Sequence, residues 1–238
     1  MTAIHGFLGL PTDWDSVLPT SSSSSFCKSG WSSKLAGIKT AHGSSVLPEL
    51  AQELNSEGHQ DRSEVLIGYS MGGRIAMHML IADRAIRRWA KAVIVSASPG
   101  ICRLDERRRR WDQDREWAER FRTEEWRILM ADWESQTVFN GDQPVLRKED
   151  EFAREELADA LERGSVGLQE DLRGDLAELE IPILWLAGER DGKYCELASA
   201  CSSLNTRFEF GIIEDAGHRA PWSNTKGFQI ALNRFLGR

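Results

Sequence analysis

Gly68-Tyr69-Ser70-Met71-Gly72-Gly73 follows the apolar run Val65-Leu66-Ile67 and opens a run of helix formers. A buried strand that turns straight into a helix brings its own backbone into close approach, and only neighbours without a bulky side chain permit it. The serine in the middle is left with its hydroxyl standing clear of the strand end. The turn also leaves the N–H of Met71 at a helix N-terminus, where a developing oxyanion meets an unpaired donor. The stretch therefore predicts a strand, a sharp turn bearing a reactive serine, and a helix.

Two later apolar runs end in loops that hold the partners such a serine needs. Ile181–Ala187 leads into Gly188-Glu189-Arg190-Asp191-Gly192, and Phe208–Ile213 is followed by Glu214-Asp215-Ala216-Gly217-His218. A histidine takes the serine proton, and a carboxylate holds the imidazole in the tautomer that does so. Serine, then aspartate, then histidine, each after a strand, resembles the order found in α/β hydrolases. The expected fold class is therefore α/β with a mostly parallel sheet, and the candidate triad is Ser70, Asp191 and His218.

Near the start, Ile4-His5-Gly6-Phe7-Leu8-Gly9 resembles the H-G-x-x-G loop that follows an early central strand of the same fold. This makes the N–H of Phe7 the second oxyanion donor beside that of Met71. Few residues precede the loop, so the N-terminal strands, and with them one covering edge of the sheet, are expected to be missing.

The chain has 238 residues, 41% of them hydrophobic and 28% charged, the balance of a globular protein with one core and an insertion. A formal net charge of -7 argues against a nucleic-acid partner. The 4 cysteines lack zinc-ligand spacing and read as free thiols, so no metal is expected. No apolar run reaches the length of a membrane span and no signal sequence is evident, which leads to an expected cytoplasmic location without a membrane partner. Ser21 to Ser25, with Lys28-Ser29-Gly30 beside it, reads as a mobile surface loop. His42 reads as structural rather than catalytic.

Residues 1–102 read as the first part of the catalytic core, and residues 180–238 as its second part. Between them, 103–179 is highly charged and strand-poor, with Trp111, Trp117, Phe121, Trp126, Leu129 and Trp133 at helix-compatible intervals. This predicts a helical cap inserted between two strands.

The motifs above, together with Ser98-Pro99-Gly100-Ile101, Arg110, Asp114-Arg115-Glu116-Trp117, Ala131-Asp132-Trp133 and Gln169-Glu170-Asp171-Leu172-Arg173, resemble one family in particular. It is the 2-succinyl-6-hydroxy-2,4-cyclohexadiene-1-carboxylate synthases of menaquinone biosynthesis. The resemblance implies a lyase that eliminates pyruvate from 2-succinyl-5-enolpyruvyl-6-hydroxy-3-cyclohexene-1-carboxylate, with Ser70 as base, His218 as its proton acceptor and no cofactor.

Such a small polyanionic substrate needs fixed cations. Arg74 lies one helical turn beyond Ser70 and so shares its face. The resemblance adds Arg110 and leaves Arg107, Arg108 and Arg109 as a solvated helix face. A third family arginine falls on either Arg147 or Arg154, and Tyr69 and Trp133 match pocket residues. The rival readings are an esterase, thioesterase or carbon–carbon hydrolase with Ser70 as covalent nucleophile, and a non-catalytic binding protein on the same scaffold.

Overall fold

Among the described residues, six strands lie side by side in the order β2-β1-β3-β4-β5-β6, and every ladder between neighbours is parallel. They are β1 (Thr2–Ile4), β2 (Cys27–Ser29), β3 (Glu64–Tyr69), β4 (Trp89–Val95), β5 (Ile183–Gly188) and β6 (Phe208–Ile213). The computed structural model describes residues 1–18, 27–57 and 64–238, so Ser21–Ser25 lie outside the described residues. A parallel sheet is covered on both faces, so its inner strands read as continuous apolar runs rather than alternating ones. Accordingly β5 is buried along its whole length.

The expected bare edge lies at β2 rather than at β1. Thr2 of β1 pairs with Leu66 on one side and with Cys27 on the other, so β2 covers the strand that was to lie open. Lys28 and Ser29, expected in a loop, belong to that edge strand. Three residues at a sheet edge need no apolar run, which is why the sequence pattern conceals them.

Helices α1 (Ser32–Gly37), α2 (Leu47–Glu57) and α3 (Met71–Ala82) stand on one face. There Leu35, Leu50 and Ile75 join Leu66, Ile94 and Trp185 in one buried cluster. The other face sets Ile67, Val93 and Leu186 against Trp14, Phe228 and Leu232.

Between β4 and β5 come α4 (Leu104–Thr123), α5 (Trp126–Glu134), α6 (Arg154–Arg163) and α7 (Arg173–Ala177). The cap has its own apolar cluster of Ala118, Phe121, Leu129, Leu157 and Leu161, which closes over Leu8 and Phe7 of the His5-Gly6 loop. Its last stretch departs from the expected boundary at 179. Leu172, Leu176 and Leu179 recur at helical spacing and pack into the sheet cluster, so this end belongs to the core. The chain closes with α8 (Gly192–Ser202), α9 (Ala220–Ser223) and α10 (Thr225–Leu236). Among the described residues no helix is long and apolar enough to cross a membrane.

Candidate active site

Ser70 sits between β3 and α3 with φ 51° and ψ -116°, in backbone space that an L-residue rarely occupies. The turn is held by its neighbours: the Ser70 N–H donates to the Val95 carbonyl at 2.9 Å, and the Ser70 carbonyl accepts from Arg74 at 3.1 Å. Gly72 makes the turn possible on the other side, since a β-carbon there would lie 2.3 Å from the His5 carbonyl oxygen. That approach sets the first turn of α3 against the end of β1. It brings the backbone N–H of Met71, an orphan donor of the first helical turn, into the neighbourhood of the Phe7 loop.

The loops after β5 and β6 complete the arrangement. His218 Nε2 lies 3.1 Å from Ser70 Oγ, and its Nδ1 lies 2.7 Å from Asp191 Oδ2. An ionised carboxylate only accepts, so it holds the proton on Nδ1 and leaves the Nε2 lone pair for the serine O–H. Asp191 is itself fixed as the N-cap of α8 by the Tyr194 N–H at 3.5 Å. The imidazole is buried among the rings of Tyr194, Tyr69 and Phe139, with centroids 4.6, 5.6 and 5.9 Å away. Burial pushes the phenols of Tyr69 and Tyr194 up, so both stay neutral.

Ser70 opens onto two cavities. The larger, about 710 Å³, is bordered by Met71, Arg74, Arg110, Lys193 and His218. The smaller, about 280 Å³, is bordered by Tyr69, Arg147, Arg219 and Trp222. Phe7, Trp133 and Phe139 border both. Trp133 thus does two things at once: it lines the cavities and packs against Phe7, Trp117 and Phe121 at 4.9, 5.0 and 5.5 Å.

The arginines sort by their partners. Arg74 is 6% exposed, donates to the Gly164 carbonyl and to Gln169 Oε1 at 3.4 Å, and is pushed down to about 10 by burial and then by the nearby Arg110 charge. Arg110 Nε donates to both oxygens of Asp114 at 2.9 Å, and Asp114 also accepts from Ser165 at 2.7 Å. Arg147 reaches the smaller cavity, paired with Asp13. Arg154 does not line either cavity. Lying in the first turn of α6, it turns away to the Phe121 and Glu124 carbonyls at 3.1 and 2.7 Å and to Glu149 at 2.8 Å.

Arg107 also departs from expectation. It is half-buried and holds the Gly167 and Leu168 carbonyls at 3.0 and 3.1 Å, while Arg108 and Arg109 are exposed. His42 is exposed and stands apart from the triad.

Sequence reasoning missed Lys193, Tyr194, Arg219 and Glu134. Lys193 borders the larger cavity two residues after Asp191, and its ammonium is held below its ordinary value by burial and then by Arg110. Its adjacency to the aspartate loop is the signal that would have found it.

The Alpha/beta hydrolase family model matches residues 5–228. A 2-succinyl-6-hydroxy-2,4-cyclohexadiene-1-carboxylate synthase of Escherichia coli (strain SMS-3-5 / SECEC) is 35% identical over 72% of this chain and 67% of its own length. Its counterpart in Escherichia coli O157:H7 (strain EC4115 / EHEC) shows the same identity and coverage. The structure of MenH from S. aureus superposes with a TM-score of 0.84 at 22% identity, covering 99% of this chain and 92% of that one. A thermophilic esterase from Thermogutta terrifontis shares the fold at a TM-score of 0.68 and 19% identity, covering 99% and 88%. With a strand-end serine, a histidine loop and a cap in the places just described, the chain belongs to the α/β hydrolases and, among them, to the 2-succinyl-6-hydroxy-2,4-cyclohexadiene-1-carboxylate synthase family.

Proposed function

We propose that the protein eliminates pyruvate from 2-succinyl-5-enolpyruvyl-6-hydroxy-3-cyclohexene-1-carboxylate to give 2-succinyl-6-hydroxy-2,4-cyclohexadiene-1-carboxylate, a step of menaquinone biosynthesis in the cytoplasm. One observation carries the reading: the Asp191–His218–Ser70 hydrogen-bond chain ends at a cavity bordered by Arg74, Arg110 and Lys193. A serine base beside clustered cations suits a substrate with several carboxylates.

The chemistry follows from the geometry. His218 Nε2 takes the Ser70 proton, and the serine oxygen takes the ring proton next to the succinyl carbonyl. The electron pair released forms the first ring double bond, the existing one shifts, and the ring C–O bond to the enolpyruvyl group breaks. Enolpyruvate leaves, regains a proton from His218 and becomes pyruvate. No water is consumed. While the carbonyl oxygen carries negative charge, the N–H groups of Phe7 and Met71 support it. Arg74 and Arg110 orient the carboxylates, Arg147 serves from the smaller cavity, and Tyr69 and Trp133 bound the ring.

A hydrolase would use the same triad, with Ser70 forming an acyl-enzyme. The test is to supply the enolpyruvyl cyclohexene and follow pyruvate through lactate dehydrogenase, with p-nitrophenyl esters in parallel. Pyruvate release with no adduct on the Ser70 peptide in rapidly quenched protein is expected. A burst of ester product with a mass adduct on that peptide, and no pyruvate, would replace the lyase reading by the hydrolase.

A further inference from the structure

The loop that carries His218 is held from the cap as well as from the sheet. Asp142, beyond α5 in the cap, accepts the Arg219 backbone N–H at 3.0 Å and the Ser223 hydroxyl at 2.7 Å. It comes so close that a β-carbon on Gly217 would lie 2.5 Å from its Oδ1, which only glycine avoids. The Arg219 side chain then turns under the cap. Its Nη1 and Nη2 donate to the two carboxylate oxygens of Glu134 at 2.7 Å each, and Nη1 also donates to the Gln143 carbonyl at 3.1 Å.

The guanidinium carbon stands 4.0 Å from the centroid of Phe139, the same ring that packs edge-on against His218. The two charged side chains are only 11% and 17% exposed. A two-pronged pair of this kind is geometrically rigid, and loss of either partner strands a desolvated charge.

Across the smaller cavity stands a reciprocal pair, in which Arg147 of the cap grips Asp13 of the core at 3.0 and 2.5 Å. In one pair the core supplies the cation, and in the other the cap does. This crossed polarity fixes the position of the cap, because sliding it would bring like charges together.

We propose that Arg219 is a positioning residue: with Glu134 it latches the cap onto the histidine loop and thereby sets the reach of His218 to Ser70. The inference rests on reading His218 as the acceptor of the serine proton. Arg219 touches no reacting atom and acts through its neighbour.

Variants R219M, R219K and E134Q separate the latch from simple packing, read by steady-state pyruvate release and by amide hydrogen exchange of 135–148 and 216–224. R219M and E134Q are expected to lower kcat about tenfold with KM changed less than about threefold, the pattern of a misplaced catalytic group. Exchange in both segments should rise about tenfold or more as the contacts open. R219K keeps a charge-assisted contact and should recover at least about a third of kcat. Should R219M fail to fold, E134Q and R219K carry the same comparison.

Unchanged exchange in 216–224, a loss confined to KM, or equal loss in R219K and R219M would overturn the proposal. If the unaltered protein releases no pyruvate, it is the functional reading that fails, and exchange in 216–224 still decides the latch.

Discussion

The α-carbon of Gly72 rests against the carbonyl group of His5, so closely that a β-carbon would lie 2.3 Å from its oxygen and 2.4 Å from that of Ile4. The contact joins the serine turn to the loop bearing Phe7, and backbone rather than a flexible chain tip would have to move to relieve a clash. Gly72→Ala is therefore expected to cost roughly 1–3 kcal/mol of stability and to abolish activity. A thermal melt matching the unaltered protein would show that the two loops are not in contact.

Ser70 combines strain with chemistry. Its φ of 51° suits glycine better than serine, so Ser70→Gly should raise stability by about 0.5–1 kcal/mol. Both Ser70→Gly and Ser70→Ala should lower pyruvate release by about a hundredfold or more, as loss of a positioned base does. Near-normal turnover in the alanine variant would make the serine a turn residue only.

Among the arginines the contrast is the test. Arg74→Ala and Arg110→Ala remove charge-assisted contacts worth about 1.5–3 kcal/mol, so kcat/KM should fall about tenfold or more. Arg108→Ala, on the exposed face, should be silent. Arg154→Ala should lower the melting temperature and leave KM unchanged, because its partners are the Phe121 and Glu124 carbonyls. A raised KM for Arg154→Ala would return that residue to the pocket.

Acid sensitivity should come partly from His78, buried in α3 and pushed down to about 4 by desolvation and then by Arg74. Between pH 6.5 and about 4 the unfolded chain binds this proton and the folded protein does not. Stability is thus greatest above pH 6.5, falls by on the order of 3 kcal/mol as the pH drops to about 4, and is flat below from this cause. Urea titrations across that window should show the slope reduced in His78→Gln. An identical slope in the variant would assign the acid loss to other groups.

The elements legible in the sequence are those whose evidence is local. The turn at Ser70 and the strand ends before Asp191 and His218 each declare themselves within a few residues, so their convergence could be foreseen. What escaped depends on distant pairing. β2 is too short and polar to signal itself, and Arg219 meets Glu134 across 85 positions in a chain where 28% of residues are charged. Arg147 and Arg154 look alike in sequence. They differ because Arg154 falls in the first turn of α6, beside the end of α4, whereas Arg147 lies in the preceding loop facing Asp13.

His218 follows Ser70 by 148 positions, and β6, the strand before it, forms the outer edge of the sheet. A ribosome adding about 5–20 residues per second leaves the serine roughly 7–30 s without its base. The Ser70–His218 hydrogen bond cannot form during that interval, however early the strained turn folds. A chain truncated before β6 would lack that hydrogen bond and would also expose the hydrogen-bonding edge of β5, an apolar strand ready to pair with another copy. Synthesis of β6 and of the loop after it thus completes the Asp191–His218–Ser70 hydrogen-bond chain and, in the same event, covers the apolar edge of β5.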